Sequence, residues 1–119
     1  MTLKPITIYG IPNCSSVKKA REWMTAQQVA HDFHDFKKQG LDPELLTHWL
    51  SKVDWTLLLN RKGTTWRGLD AAIQAQAKDA GSAQLLMLKW PSLVKRPVVV
   101  KGERVVVGVN PEAWLSVIN

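Results

Sequence analysis

Cys14 is the one cysteine in a chain of 119 residues, and its neighbours place it where a strand turns into a helix. The segment runs Ile6-Thr7-Ile8-Tyr9-Gly10-Ile11-Pro12-Asn13-Cys14-Ser15-Ser16-Val17-Lys18-Lys19-Ala20. A thiol at that junction faces the free N–H groups and positive dipole end of the helix, both of which favour its thiolate. The thiolate is the nucleophile, so such a position turns an ordinary thiol reactive near neutral pH. A lone cysteine more often serves as a small buried apolar side chain. Gly10, Pro12 and the polar Ser15-Ser16 pair instead read as a loop tip, which points to the reactive role.

Other chemistries find less support. His31 and His34 fall three apart in an expected strand, so their rings point to opposite faces and cannot share one metal ion. His48 lies beside Trp49 on an expected helix, and none of the three histidines is assigned a catalytic role. A zinc site needs more ligands than Cys14 and scattered histidines provide, so no metal is expected. Gly102 and Gly108 read as turn residues, and no phosphate-cradling loop is present. Sixteen Lys and Arg against ten Asp and Glu give a net charge of +6. The cations are dispersed in pairs such as Lys18-Lys19, Lys37-Lys38, Arg61-Lys62 and Lys95-Arg96, and only Trp66-Arg67 sets an aromatic beside a cation. That is a solvated surface, and no nucleic-acid partner is expected.

The chain has the length of one domain, and its 45% hydrophobic content fits a soluble globular protein. Its apolar runs are too short to span a bilayer. Met1-Thr2-Leu3-Lys4-Pro5 lacks the apolar core of a secretory leader. One cysteine allows no internal disulfide, which suits a reducing compartment. A cytoplasmic protein without a membrane partner is expected.

The elements that must hold Cys14 follow from periodicity. Ile6 to Tyr9 reads as a strand, and about Cys14 to Gln28 as a helix with Val17, Ala20, Met24 and Gln27-Gln28 inward. Val29 to Phe36 alternates as a second strand, which a crossover of this kind pairs parallel to the first. Asp42-Pro43-Glu44 starts a helix by cap and proline, with Leu41 and Leu46 at staple spacing and Leu45, Leu46, Trp49, Leu50 and Val53 as its apolar face. Helical turns are expected at Trp55 to Leu59, Leu69 to Lys78, and Ser82 to Trp90, with Gly81-Ser82 between the last two and Ser82 capping. Six tryptophans spread over these segments read as packing residues. Pro97-Val98-Val99-Val100 and Arg104-Val105-Val106-Val107 around Lys101-Gly102-Glu103 form a hairpin, and Asn110-Pro111-Glu112 opens a last helix. The expectation is one α/β domain over residues 1–119: β-α-β, a helical insertion at about 41–92, then β-β-α.

Tyr9-Gly10-Ile11-Pro12-Asn13-Cys14, Leu58-Leu59-Asn60-Arg61-Lys62-Gly63 and Lys95-Arg96-Pro97-Val98 together resemble the arsenate reductase (ArsC) and Spx family, in its YffB-like branch. Asp32-Phe33-His34-Asp35-Phe36 and Pro91-Ser92-Leu93-Val94 extend the likeness over essentially the whole chain. The resemblance implies a thioredoxin-like fold, Cys14 as nucleophile, and Arg96-Pro97 as the segment closing the site, with Pro97 cis. Arg96 would aim its guanidinium at the thiolate or at an anionic substrate.

Departures from the family pattern narrow the reaction. Gly10 stands where arsenate reductases of this group place a histidine, four residues before the cysteine. Of their three oxyanion-holding arginines, one matches Arg96, a second aligns with Asn60 beside Arg61, and the third falls near Val109. Spx regulators commonly carry a CxxC switch, whose fourth position is Val17 here. What the resemblance leaves is a glutathione-dependent thiol–disulfide oxidoreductase with one nucleophilic cysteine and no bound cofactor. The alternatives are an arsenate reductase-like enzyme and a non-catalytic regulator binding RNA polymerase. Glutathione is the expected co-substrate, met by Asn13, Ser15, Ser16, Asn60, Arg61 and Pro97, in a groove ringed by Arg61, Lys62, Arg67, Lys95 and Arg96. Asn13 doubles as the expected helix cap. The enzyme is expected to act as a monomer.

Overall fold

Alternation along β1 (Ile6–Gly10) buries Ile6, Ile8 and Gly10 and leaves Thr7 and Tyr9 half-buried. The computed structural model describes residues 5–119; residues 1–4, on which most of the leader expectation falls, lie outside the described residues. β2 (His31–Asp35) pairs parallel to β1 from Ile6↔His31 to Gly10↔Asp35. β3 (Val98–Lys101) runs antiparallel on the other side of β1, with Tyr9 opposite Val98, and β4 (Arg104–Val107) closes the hairpin. Among the described residues these strands form one sheet in the order β2-β1-β3-β4. Gly102 turns the hairpin at a φ of 60°, which glycine adopts without strain.

α1 (Ser15–Ala26) crosses from β1 to β2 and buries Val17, Ala20 and Met24, the spacing of one helical face. They pack with Ile6, Ile8 and Val99 of the sheet and with Trp114 and Val117 of α8 (Pro111–Ile118). Burying the valine, isoleucine and methionine side chains among them contributes about 1.5–3 kcal/mol each. Asn110 caps α8 by accepting from the Ala113 N–H, with Pro111 in its first turn as expected.

The bounds of α1 and β2 differ from expectation, and β2 begins at His31 rather than Val29. α1 stops at Ala26, and Gln27-Gln28 is exposed rather than inward. Gln28 takes a left-handed φ of 58°; its N–H donates to Thr25 O and the Val29 N–H to Met24 O. That is a Schellman stop with glutamine in the place glycine usually fills. β2 ends at Asp35, not Phe36, because the Asp35 carboxylate accepts from the Lys37 N–H and starts the single turn α2 (Phe36–Gln39).

The chain divides into two units, the one just described (residues up to Gly40 and Arg96–Asn119) and Leu41–Lys95. The second consists of short helices and turns. Its α3 (Pro43–Leu50) begins as expected, the Asp42 carboxylate accepting from the Glu44 N–H. α4 (Trp55–Leu58) is capped by Asp54 in the same manner. α5 (Thr64–Arg67) was not expected, and the helix expected over Leu69–Lys78 is only the turn α6 (Ala71–Gln74). Ala71, Ala72, Ala75 and Gln76 are exposed there, so little apolar surface is buried to support more turns.

α7 (Ala80–Lys89) starts earlier than expected, so Gly81 and Ser82 lie inside it. Asp79 is the cap: its carboxylate accepts from the Ser82 N–H while Ser82 Oγ accepts from the Asp79 N–H. Asp79→Ala removes this reciprocal box and is expected to lower the denaturant midpoint at unchanged slope. Gln84 of α7 donates to Pro43 O and Thr47 Oγ1 of α3. A 3-10 turn, Pro91–Leu93, follows, and Leu59 bridges to Val94. No helix among the described residues is long and apolar enough to cross a membrane.

Candidate active site

Strand register brings the site together within the first unit. Tyr9 of β1 opposes Val98 of β3, so the chain leaving β1 toward Cys14 runs beside the chain entering β3 through Arg96-Pro97. Ligands of open α/β sheets commonly bind outside such strand ends.

Cys14 is itself the N-cap of α1, with extended backbone; its N–H donates to Ile11 O at 3.4 Å and its carbonyl accepts from the Lys18 N–H at 3.0 Å. No side chain caps α1 and no acid occupies its first turn, so the opening amides have no competing anion. The half-buried thiol feels opposed effects. Burial pushes its pKa up, but the backbone N–H groups of Val17 and Ser16, the Arg96 hydrogen bond and the Arg96 charge together hold it below the usual thiol range. These are the groups that activate a cysteine at a helix start.

Arg96 is half-buried, and the Arg96–Pro97 peptide is cis, as expected. Pro97 is buried, and its carbonyl accepts from the Gly108 N–H at 2.8 Å. Ser15 is the exposed first residue of α1 and Ser16 is half-buried behind it. Asn13 is exposed and is not the cap, contrary to expectation; the helix begins one residue later, so Cys14 holds that position.

Asn60 and Arg61 belong to the second unit. The Asn60 side-chain oxygen accepts from the Lys62 N–H at 3.0 Å and the Asn60 N–H donates to Leu93 O at 2.7 Å. The exposed Arg61 guanidinium lies 5.5 Å from the centre of the Trp55 ring.

Gly10 has a reason that sequence reading missed. A Cβ placed on it would lie 2.5 Å from a methyl of the fully buried Val17. Position 10 therefore has no room for a side chain unless Val17 shifts. Gly10→Ala is expected to destabilise by about 1–3 kcal/mol through overpacking. Val17→Ala in the same chain should recover part of that loss in a double-mutant cycle followed by thermal unfolding. The one available signal was a glycine ending a strand, which often marks close backbone approach.

The histidines are engaged elsewhere. His31 Nδ1 pairs with Val29 O at 2.9 Å and His34 Nε2 with Gly40 O at 2.8 Å, the His34 ring lying 4.9 Å from Tyr9. Among the described residues no three His, Cys, Asp or Glu are placed to hold a metal ion.

A parallel β-α-β joined to a β-hairpin and helix, with a cysteine capping the first helix beside a cis-proline, defines a thioredoxin-like protein. The ArsC family model matches residues 9–117, and the chain belongs to the ArsC family. Among solved structures it is similar to a YffB protein, 44% identical, covering 96% of this chain and 99% of that one at a TM-score of 0.90. An arsenate reductase (ArsC) related protein from Brucella melitensis is also 44% identical, covering 97% and 95% of the two chains at a TM-score of 0.73. The global transcriptional regulator Spx of Streptococcus agalactiae is 28% identical, over 90% of this chain and 78% of that protein.

Proposed function

We propose that this chain is a glutathione-dependent thiol–disulfide oxidoreductase, acting in the cytoplasm as a monomer with Cys14 as nucleophile and Arg96 as electrostatic partner. The observation that carries it is the Cys14 thiol, held below the usual thiol range at the start of α1 by helix amides and Arg96. The Cys14 thiolate attacks a sulfur of a glutathione mixed disulfide; a Cys14–glutathione disulfide forms and the substrate leaves as a thiolate that takes a proton from water. A second glutathione thiolate attacks the glutathione sulfur of that intermediate. Oxidised glutathione is released and the Cys14 thiolate returns. The second thiol must come from outside, because Val17 occupies the position of a resolving cysteine. Asn13, Ser15, Ser16 and Pro97, in the same unit as Cys14, are the residues assigned to glutathione.

One matched arginine, with Asn60 and the exposed Val109 at the other two positions, gives an arsenate ion little fixed positive charge. The Spx relative favours a second reading, a regulator that docks on RNA polymerase without catalysis. Steady-state reduction of a glutathione mixed disulfide, coupled to glutathione reductase, separates the two. Turnover saturating in glutathione supports the enzyme. A rate equal to the uncatalysed exchange, together with capture of RNA polymerase, supports the regulator.

A further inference from the structure

A hollow of about 260 Å³ lies within the second unit, bordered by Thr56, Leu57, Leu59, Asn60, Arg61, Lys62 and Lys95. Three of these are cations and none is an acid. Asp54, two residues before Thr56, is turned onto the Thr56 N–H and hydroxyl at 2.8 and 2.6 Å, and those bonds hold its carboxyl below the usual range. The two strands of chain that supply the cations are tied together. The Lys95 N–H donates to Leu58 O at 2.8 Å, the Asn60 N–H donates to Leu93 O, and Leu59 bridges to Val94. Asn60 Oδ1 fixes the Lys62 amide, which leaves the Asn60 NH₂ group to donate elsewhere. Leu57, 59% exposed, adds an aliphatic wall.

We infer that this hollow binds a small dicarboxylate: its carboxylates meet Arg61, Lys62 and Lys95, and the carbon chain between them lies along Leu57 and Leu59. The guanidinium fork of Arg61 matches a carboxylate in two-point geometry, whereas the lysines act as point charges. A bare oxyanion satisfies the cations but leaves the leucine surface uncovered, so carboxylates on an aliphatic stem are preferred. Like-charged side chains gathered around one hollow repel each other, and a divalent anion relieves that repulsion. The inference does not rest on thiol chemistry.

Titration of the ¹⁵N-labelled protein with glutarate, and separately with inorganic phosphate, tests it. Saturable shifts confined to the Asn60, Arg61, Lys62 and Lys95 amides and the Trp55 indole N–H are expected, since Arg61 sits over that ring. Glutarate should bind more tightly than phosphate. Lys95→Ala or Lys62→Ala, both at exposed positions, should weaken glutarate about tenfold, and Lys95→Arg should largely retain it. Cys14→Ser should bind as the parent does, so a failed thiol assay and a failed titration are separate results. Non-saturating shifts spread over all the basic surface, equal or tighter phosphate binding, or glutarate affinity unchanged in both alanine variants would each overturn the inference.

Discussion

Cys14→Ser is expected to lower turnover of glutathione mixed disulfides to the uncatalysed rate, a loss on the order of a thousandfold or more. A serine hydroxyl is not ionised by the surroundings of Cys14, and no other residue in the chain can form the mixed disulfide. The fold should survive, because the backbone bonds of residue 14 to Ile11 and Lys18 do not involve the sulfur. Linkage gives a second reading of the same variant. The folded thiol has a depressed pKa, so its stabilising contribution is full above the unfolded value of about 8.5 and is lost as pH falls through the folded value. The stability gap between parent and Cys14→Ser should therefore widen toward alkaline pH and be smallest in acid. A chain that keeps its disulfide-reducing turnover after the substitution has its chemistry elsewhere.

Arg96→Ala should slow the reaction of Cys14 with oxidised glutathione about fourfold at neutral pH. Losing a charge-assisted hydrogen bond of the lower strength expected at a site partly open to solvent cuts the thiolate fraction about tenfold, and the higher pKa returns part of that in nucleophilicity. The sign changes with pH. Without Arg96 the thiol pKa rises, so at neutral pH a smaller fraction is thiolate; intrinsic nucleophilicity rises with pKa, but with a Brønsted slope of only about 0.4–0.5. The loss of thiolate therefore wins below the pKa. Well above it both proteins are fully ionised, and the variant should react as fast as the parent or faster. Arg96→Lys should restore part of the neutral-pH rate, because it returns the charge without the planar guanidinium. Stopped-flow rates from pH 5 to pH 10 would show the two curves converging or crossing; parallel curves would mean that Arg96 acts on substrate binding and not on the thiol.

Both of these residues were legible before any coordinates, and for different reasons. Cys14 stood out because glycine, proline and serine punctuation around a lone thiol is local information. Arg96 needed the whole pattern, since only the antiparallel return of β3 beside β1 carries it to the cysteine. The helices opened by Asp42-Pro43 and Asn110-Pro111 were equally clear, because a capping side chain and a proline act within one turn. Boundaries set by less usual residues were not. Gln28 fills a left-handed stop without being glycine, and Asp35 ends β2 by capping although the alternation continues into Phe36. At the start of α7 the signal was present in Asp79 and Ser82, three apart, but Gly81 between them reads as a break. The role of Gly10 was not legible, because its cause is a methyl of Val17 brought to it by packing. That helix-start amides favour the Cys14 thiolate was legible from its position; that they belong to Ser16 and Val17 was not, since backbone donors leave no mark on residue type.

The most direct test of an activated Cys14 is intact mass after brief exposure to oxidised glutathione across a pH series. The thiolate environment predicts rapid addition of a single glutathione at Cys14, persisting well below the pH at which a free thiol ionises, and addition that weakens in Arg96→Ala. Slow addition, or addition appearing only in alkali and unchanged by Arg96→Ala, would contradict it and leave Cys14 an ordinary cysteine.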